Sequence, residues 1–226
     1  VSPDGRYLAA GGPGPRVWLW DLRSDAPPRV LEGHGEWTVD LRFSPDGQRL
    51  GTIGRGVDPR VWSTATGALE RTIASEAGSL LPSFVAFTPD GQRVVTIGLH
   101  GQLRMFDLAT GAPGGVIDLK RHVGGAAQSP DGALLALGGS DGVAVVDATS
   151  GAVLASLPGG ATNASLAFDA RGEWLAVRGA SLTMWHRGPL AARPQPARAA
   201  TSPPAGASFP RRFDALCFAP DGGDLF

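Results

Sequence analysis

Residues 39–53 read VDLRFSPDGQRLGTI, and this stretch decides the fold. On each side of the central Ser-Pro-Asp-Gly, apolar residues alternate with polar ones, a pattern typical of strands with one buried face. Proline at the second position and glycine at the fourth favour a type I turn. The stretch therefore predicts two strands joined by a tight turn.

The same turn signal recurs along the whole chain. Close copies begin at Ser2, Thr88 and Ser129, and degenerate copies begin at Asp169 and Ala219. The glycines that anchor the repeats are Gly5, Gly47, Gly91, Gly132, Gly172 and Gly222, spaced by 42, 44, 41, 40 and 50 residues. A fixed period of roughly 40 residues predicts one supersecondary unit per repeat.

Each repeat continues with two further strands. The third strands are predicted to end at Trp20, Trp62, Phe106, Val146 and Trp185. A turn and a short fourth strand follow, as in residues 115–119. Four strands in every repeat would leave many exposed edges in one flat sheet, whereas a radial arrangement of small sheets protects those edges.

Two motifs carry a family resemblance. Trp20-Asp21 resembles the signature dipeptide of WD repeats, and Gly33-His34 resembles the Gly-His that opens such a repeat. The Ser-Pro-Asp-Gly turn is also common in bacterial members of this family. The resemblance covers residues 1–186 and resumes at 211–226. It implies an all-β WD-repeat β-propeller of four-stranded antiparallel blades.

The repeat count predicts one propeller segment over residues 1–226, with four complete repeats plus two partial ones. We expect an open or incomplete ring, in a chain that starts inside a longer protein. Residues 187–210 interrupt the pattern with a Pro/Ala/Arg-rich stretch. Because proline is poorly tolerated in a strand ladder, this stretch is interpreted as a surface loop insertion. A proline-rich ligand for another domain is the alternative.

The resemblance also implies a hydrogen-bonded chain that stabilises a blade. In this family it joins a His, a Ser or Thr, an Asp and a Trp, and the second repeat supplies His34, Thr52, Asp58 and Trp62. The His position of the other repeats is occupied by Gly78, Leu119, Gly159 and Phe209. Those blades are expected to depend on apolar packing.

Composition and charge favour no nucleic-acid or membrane partner. The net charge is −1, and no apolar run approaches the roughly 18 residues that a membrane-spanning helix requires. The lone Cys217 excludes an internal disulfide. No signal peptide is visible at the start, so a cytoplasmic location is expected.

The candidate chemical groups do not converge in the sequence. The four histidines, His34, His100, His122 and His186, fall in different repeats. The glycine-rich residues 9–14 precede a predicted strand rather than a helix, which indicates a hairpin and not a phosphate-binding loop. The aspartates of the turns are expected to bond local backbone. We therefore predict no catalytic residues, no metal and no cofactor.

The resemblance implies that partners bind at the loops leading into the innermost strand of each blade. Those positions are Trp37, Leu81, His122, Thr162 and Arg212. Trp37 is the sharpest candidate because an exposed Trp supplies a large contact area, and packing against a neighbouring blade is its alternative role. The predicted function is a non-catalytic protein–protein interaction scaffold for peptide or protein partners. The alternatives are a lactonase-like or quinoprotein-like propeller enzyme acting at the central channel, or a regulatory domain of a larger bacterial signalling ATPase or kinase.

Overall fold

Every regular element that the computed structural model describes is a β-strand. The structure describes residues 1–35, 37–55, 57–74, 82–158, 164–179 and 182–187. Within these ranges the strands form five antiparallel sheets, three of them four-stranded. The prediction of an all-β fold made of four-stranded antiparallel sheets is confirmed. The predicted insertion spans residues 187–210, and only Arg187 of it belongs to the described residues.

The strands follow one another in chain order within each sheet. The first sheet contains β1 (Tyr7–Ala10), β2 (Arg16–Asp21) and β3 (Arg29–Glu32). The second contains β4 (Thr38–Phe43), β5 (Arg49–Gly54), β6 (Arg60–Ser63) and β7 (Leu69–Thr72). The third contains β8 (Phe84–Phe87), β9 (Arg93–Ile97), β10 (Gln102–Asp107) and β11 (Pro113–Asp118). The fourth contains β12 (Gly125–Gln128), β13 (Leu134–Gly139), β14 (Gly142–Asp147) and β15 (Val153–Leu157), and the fifth β16 (Ser165–Phe168), β17 (Trp174–Arg178) and β18 (Leu182–His186).

The chain forms two compact units that divide between Lys120 and Arg121. In the first unit, sheets pack face to face through apolar side chains that alternate along their strands. One cluster joins the first and second sheets and contains Tyr7, Val17, Leu19, Leu31, Leu50 and Trp62. Another joins the second and third sheets and contains Ile53, Val61, Ile73, Val85, Phe87, Val94, Phe106 and Leu108. Both faces of the second sheet are therefore buried.

The second unit repeats this packing between the fourth and fifth sheets. Its core contains Leu134, Ala136, Val143, Val145, Leu157, Leu175, Val177 and Trp185. These residues come from alternating positions of neighbouring strands, as expected for sheets with one face turned to a partner sheet. The strands β2, β6, β10, β14 and β18 each end one residue beyond the residue predicted to end the third strand of a repeat.

The recurring turn closes through its own side chains. The Gly47 N–H donates to the Ser44 carbonyl at 2.8 Å, and Gly47 has a φ of +69°, a conformation that glycine adopts readily. The Ser44 hydroxyl donates to the Asp46 carboxylate and accepts from the Arg49 N–H at 2.9 Å. The turns that begin at Ser2, Thr88 and Ser129 form the same bonds. The Asp4, Asp46, Asp90 and Asp131 carboxylates also accept from the backbone N–H two residues further along, which confirms their predicted bonding to local backbone.

Candidate functional site

Three members of the predicted hydrogen-bonded chain meet in the second sheet. The Trp62 Nε1–H donates to the Thr52 hydroxyl oxygen at 2.8 Å. The Thr52 hydroxyl also lies 2.6 Å from His34 Nε2. His34 is 1% exposed and Trp62 is 3% exposed, so the polar atoms are bonded to each other where water is excluded. The chain links the segment after β3 to both β5 and β6.

Asp58 does not extend this chain through His34. The Nδ1 atom of His34 is buried and has no hydrogen-bond partner among the described residues. It faces Gly54 instead, where an added Cβ would lie 2.6 Å from Nδ1. Asp58 is half-buried and makes interactions of its own. The structure therefore brings together His34, Thr52 and Trp62, and leaves the expected fourth link unmade.

The environment of His34 favours the neutral ring. Burial, followed by the positive charge of the Arg60 guanidinium, lowers the pKa of His34 to about 4. A Cβ at Gly33 would lie 2.5 Å from Arg60 Nη1, so this guanidinium sits against the backbone next to His34. A neutral imidazole can accept a bond at one nitrogen and donate at the other, and Thr52 can satisfy either role.

We expect the free energy of unfolding to fall as the pH drops from about 6.5 to about 4. In this window the unfolded chain takes up a proton on His34, whereas the folded chain does not, so acid favours the unfolded state. The loss should be on the order of 2 kcal/mol by pH 5. Urea titrations across this range measure it, with His100→Gln as the control because His100 lies exposed in the β9–β10 turn.

Between pH 6.5 and 5 the pH dependence should disappear in His34→Gln and persist in His100→Gln. The turn aspartates do not produce it, because hydrogen bonds from Ser2 and Thr88 lower the pKa values of Asp4 and Asp90 below the ordinary 3.8. Their contribution begins to fall only below about pH 5, where the unfolded chain starts to protonate its aspartates. A ring-proton NMR resonance of His34 that titrates near pH 6.5 would contradict the assignment.

Two of the five predicted partner-binding residues fall within the described ranges. Trp37 is 57% exposed and precedes β4, and His122 is exposed and precedes β12. Leu81, Thr162 and Arg212 lie outside the described residues. In the structure Trp37 is not packed into the interface between neighbouring sheets, which was its alternative role.

Backbone hydrogen bonds fix the position of Trp37. The Arg55 N–H donates to the Trp37 carbonyl at 2.8 Å, and the Thr38 N–H donates to the Gly12 carbonyl at 3.3 Å. Thr38 also fills the space above Gly11, where an added Cβ would lie 2.7 Å from the Thr38 Cβ. The glycine-rich residues 9–14 thus belong to the predicted β1–β2 hairpin, and the first residue of β4 packs against them.

A β-bulge at the start of β4 exposes a second apolar side chain. Thr38 pairs with Gly54 and Asp40 pairs with Ile53, so Val39 has no residue opposite it. A bulge interrupts strand alternation and redirects side chains. Here it lets Thr38 pack on Gly11 while Val39 remains 51% exposed. Sequence reasoning missed Val39 and Arg55, because regular alternation predicts that Val39 packs on the same face as Leu41.

The corresponding loop of the second unit is held by different groups. The Arg121 guanidinium donates to the Asp141 carboxylate and to the Gly142 carbonyl, each at 2.8 Å. The His122 carbonyl lies against Gly139, where an added Cβ would come within 2.2 Å. These contacts attach the loop to the β13–β14 hairpin and leave the His122 ring exposed.

The described residues supply no set of groups arranged for metal binding. They contain no cluster of three or more His, Cys, Asp or Glu side chains able to hold an ion.

His186 packs edge-on against Trp174, with ring centroids 4.7 Å apart. No helix in the ranges that the structure covers is long and apolar enough to cross a membrane.

A polar cleft of about 300 Å³ lies between the turns of the first and second sheets. Its charged groups already have partners. Arg6 pairs with Asp21 at 2.8 Å, and Arg49 pairs with Glu70 at 2.9 Å. The Asp46 carboxylate accepts bonds from its own turn. The cleft therefore presents no desolvated pair of carboxylates of the kind that acid–base hydrolysis uses.

Comparison with known proteins finds a relative that matches part of the chain. The chain is similar to Protein LST8 homolog of Drosophila melanogaster, with 32% identity over 71 residues. The match covers 28% of this chain and 23% of the relative. No family model matches the chain. The antiparallel sheets and this similarity together fit a WD-repeat β-propeller.

Proposed function

We propose that the chain is a non-catalytic protein–protein interaction scaffold that binds peptide or protein partners at the loops leading into the first strand of each sheet. The observation that carries the proposal is Trp37, which is 57% exposed on a loop fixed by backbone hydrogen bonds. The proposal includes His122 and, outside the described residues, Leu81, Thr162 and Arg212.

The physical support is a rigid base beneath an exposed aromatic side chain. The His34–Thr52–Trp62 hydrogen bonds attach the loop before β4 to β5 and β6. The Thr38 N–H attaches its end to the β1–β2 hairpin. A residue whose backbone is held in this way loses less entropy on binding, and Trp is enriched among the residues that dominate interfaces. The partial match to Protein LST8 homolog supports a role in protein interaction in general.

We expect Trp37→Ala to weaken peptide binding by about 2 kcal/mol, since truncation of an interface Trp commonly removes this much. A phage-displayed library of random dodecapeptides is panned against the whole chain, and the enriched peptides are synthesised. Their dissociation constants are then measured by fluorescence anisotropy for wild type and variant. The thermal midpoint of the variant should stay close to that of wild type because the side chain is exposed.

Leu22→Ala is the matched control, because Leu22 is 54% exposed in the turn that follows β2 rather than on a loop leading into a sheet. It should leave peptide affinity unchanged. Equal affinities of wild type and Trp37→Ala for every enriched peptide would overturn the proposed site. A large fall in the thermal midpoint of Trp37→Ala, without a specific loss of binding, would assign Trp37 a structural role.

A further inference from the structure

Three residues on adjoining backbone make up what we name the Trp37 patch, namely Trp37, Val39 and Arg55. Trp37 is 57% exposed and Val39 is 51% exposed, and the β-bulge at Val39 explains why both avoid the sheet interfaces. Arg55 is exposed, and its N–H bonds the Trp37 carbonyl at 2.8 Å. The patch therefore combines two apolar side chains and one cation on adjoining backbone.

The charges of the described residues around this patch favour an anionic partner. The Arg55 side chain forms no ion pair with any residue that the structure describes. The nearby Asp40 carboxylate is engaged, because it accepts from the Val85 N–H at 3.0 Å and lies 3.6 Å from Arg42. The Glu32 carboxylate at the end of β3 lies 3.4 Å from Arg16.

A second cation lies beneath the same loop. The Arg60 Nε and Nη1 atoms are buried without hydrogen-bond partners in the described part of the chain. Arg60 contributes to the lowered pKa of His34, which shows that its positive charge is felt on the loop. Arg60 lies against Gly33 of the loop that leads to Trp37, so this loop has a buried guanidinium on one side in addition to the exposed Arg55.

We propose that the Trp37 patch docks an extended acidic segment of a protein partner, with an apolar side chain against Trp37 and Val39 and a carboxylate on Arg55. Arg is suited to this role because its planar guanidinium bonds a carboxylate through two parallel N–H groups. Apolar contact with Trp37 and Val39 supplies affinity, and the ion pair selects for charge. The inference rests on the proposed function and adds the chemistry of the partner.

The test uses two fluorescein-labelled synthetic nonapeptides that alternate Phe and Leu with charged residues, one carrying Glu and the other Lys at the charged positions. Anisotropy titrations with the full chain should show the Glu peptide binding at least tenfold more tightly than the Lys peptide. Arg55→Glu should reverse this preference. Arg23→Glu makes the same change in net charge at an exposed turn residue and should preserve it.

The apolar part of the patch has its own matched pair of variants. Val39→Ser should weaken binding of the Glu peptide several-fold, whereas Val153→Ser should not, since Val153 is equally exposed at 50% but lies on β15. Thermal midpoints measured for all variants show that each remains folded.

The outcomes separate the two proposals. If Glu and Lys peptides bind equally well, and both lose affinity in Trp37→Ala, the acidic preference is wrong and the binding role of Trp37 stands. If Arg23→Glu abolishes the preference as strongly as Arg55→Glu, the selectivity comes from overall charge and not from the patch. If neither peptide binds while Trp37-dependent dodecapeptides emerge from the library, the inference fails and the proposed function does not.

Discussion

Trp62→Ala is expected to lower the free energy of unfolding by about 3–5 kcal/mol, the cost of truncating a large buried aromatic side chain. Trp62 is 3% exposed and packs with Leu31 and Leu50 between the first and second sheets. Its loss would leave a cavity in that interface and would remove the indole donor from the Thr52 hydroxyl. One substitution therefore removes both the apolar packing and the hydrogen bond.

Urea unfolding followed by circular dichroism measures this loss. Trp62→Phe separates the two contributions, because it retains most of the apolar volume and removes the hydrogen bond. It should cost less than half as much as Trp62→Ala. Trp18→Ala is the control, since Trp18 lies on β2 and is only partly buried. A cost below about 1 kcal/mol for Trp62→Ala would place Trp62 outside the hydrogen-bonded chain and the core.

Gly125→Ala is expected to destabilise the second unit by about 3 kcal/mol, at the upper end of the usual range for overpacking. Gly125 begins β12, and an added Cβ would lie 1.8 Å from the Ala164 carbonyl oxygen. The obstacle is backbone, so no side-chain rotation can relieve it. The strands β12 and β16 would have to separate, which would open the core around Leu166 and Leu175.

Gly115→Ala is the matched control for this substitution. Gly115 lies on β11 with an ordinary backbone conformation, and nothing lies within 4 Å of an added Cβ. Alanine there should change the free energy of unfolding by less than about 0.5 kcal/mol. Hydrogen exchange of individual amides at increasing urea concentrations shows which of the two units is destabilised. Equal stabilities of Gly125→Ala and wild type would show that β12 and β16 are farther apart in solution.

The recurring turn made much of the fold predictable from the sequence. Its spacing placed the glycines of positive φ, and the alternation on each side placed the strands and their buried faces. This worked because the turn depends on contacts within five residues, so local sequence contains all the necessary information. The end of β6 next to the buried Trp62 was predictable for the same reason.

The details of the candidate site were less predictable because they depend on contacts between distant segments. The bulge at Val39 follows from how Thr38 fits onto Gly11 of another sheet. The missing link between His34 and Asp58 follows from the orientation of the imidazole toward Gly54. Arg55 became a candidate only when its backbone bond to Trp37 was known. No short-range pattern in the sequence specifies these contacts.

The self-contained hydrogen bonds of the turn have a consequence for the kinetics of assembly. The hydroxyl, carboxylate and glycine of each turn can find one another without any distant residue, so the hairpins can form on the microsecond timescale of isolated β-hairpins. The stacking of sheets through Leu50, Trp62 and Phe87 requires segments far apart in the chain and must be slower. Hairpins of a nascent chain would thus form and open rapidly, and they would become stable only when the next repeat covers their apolar faces.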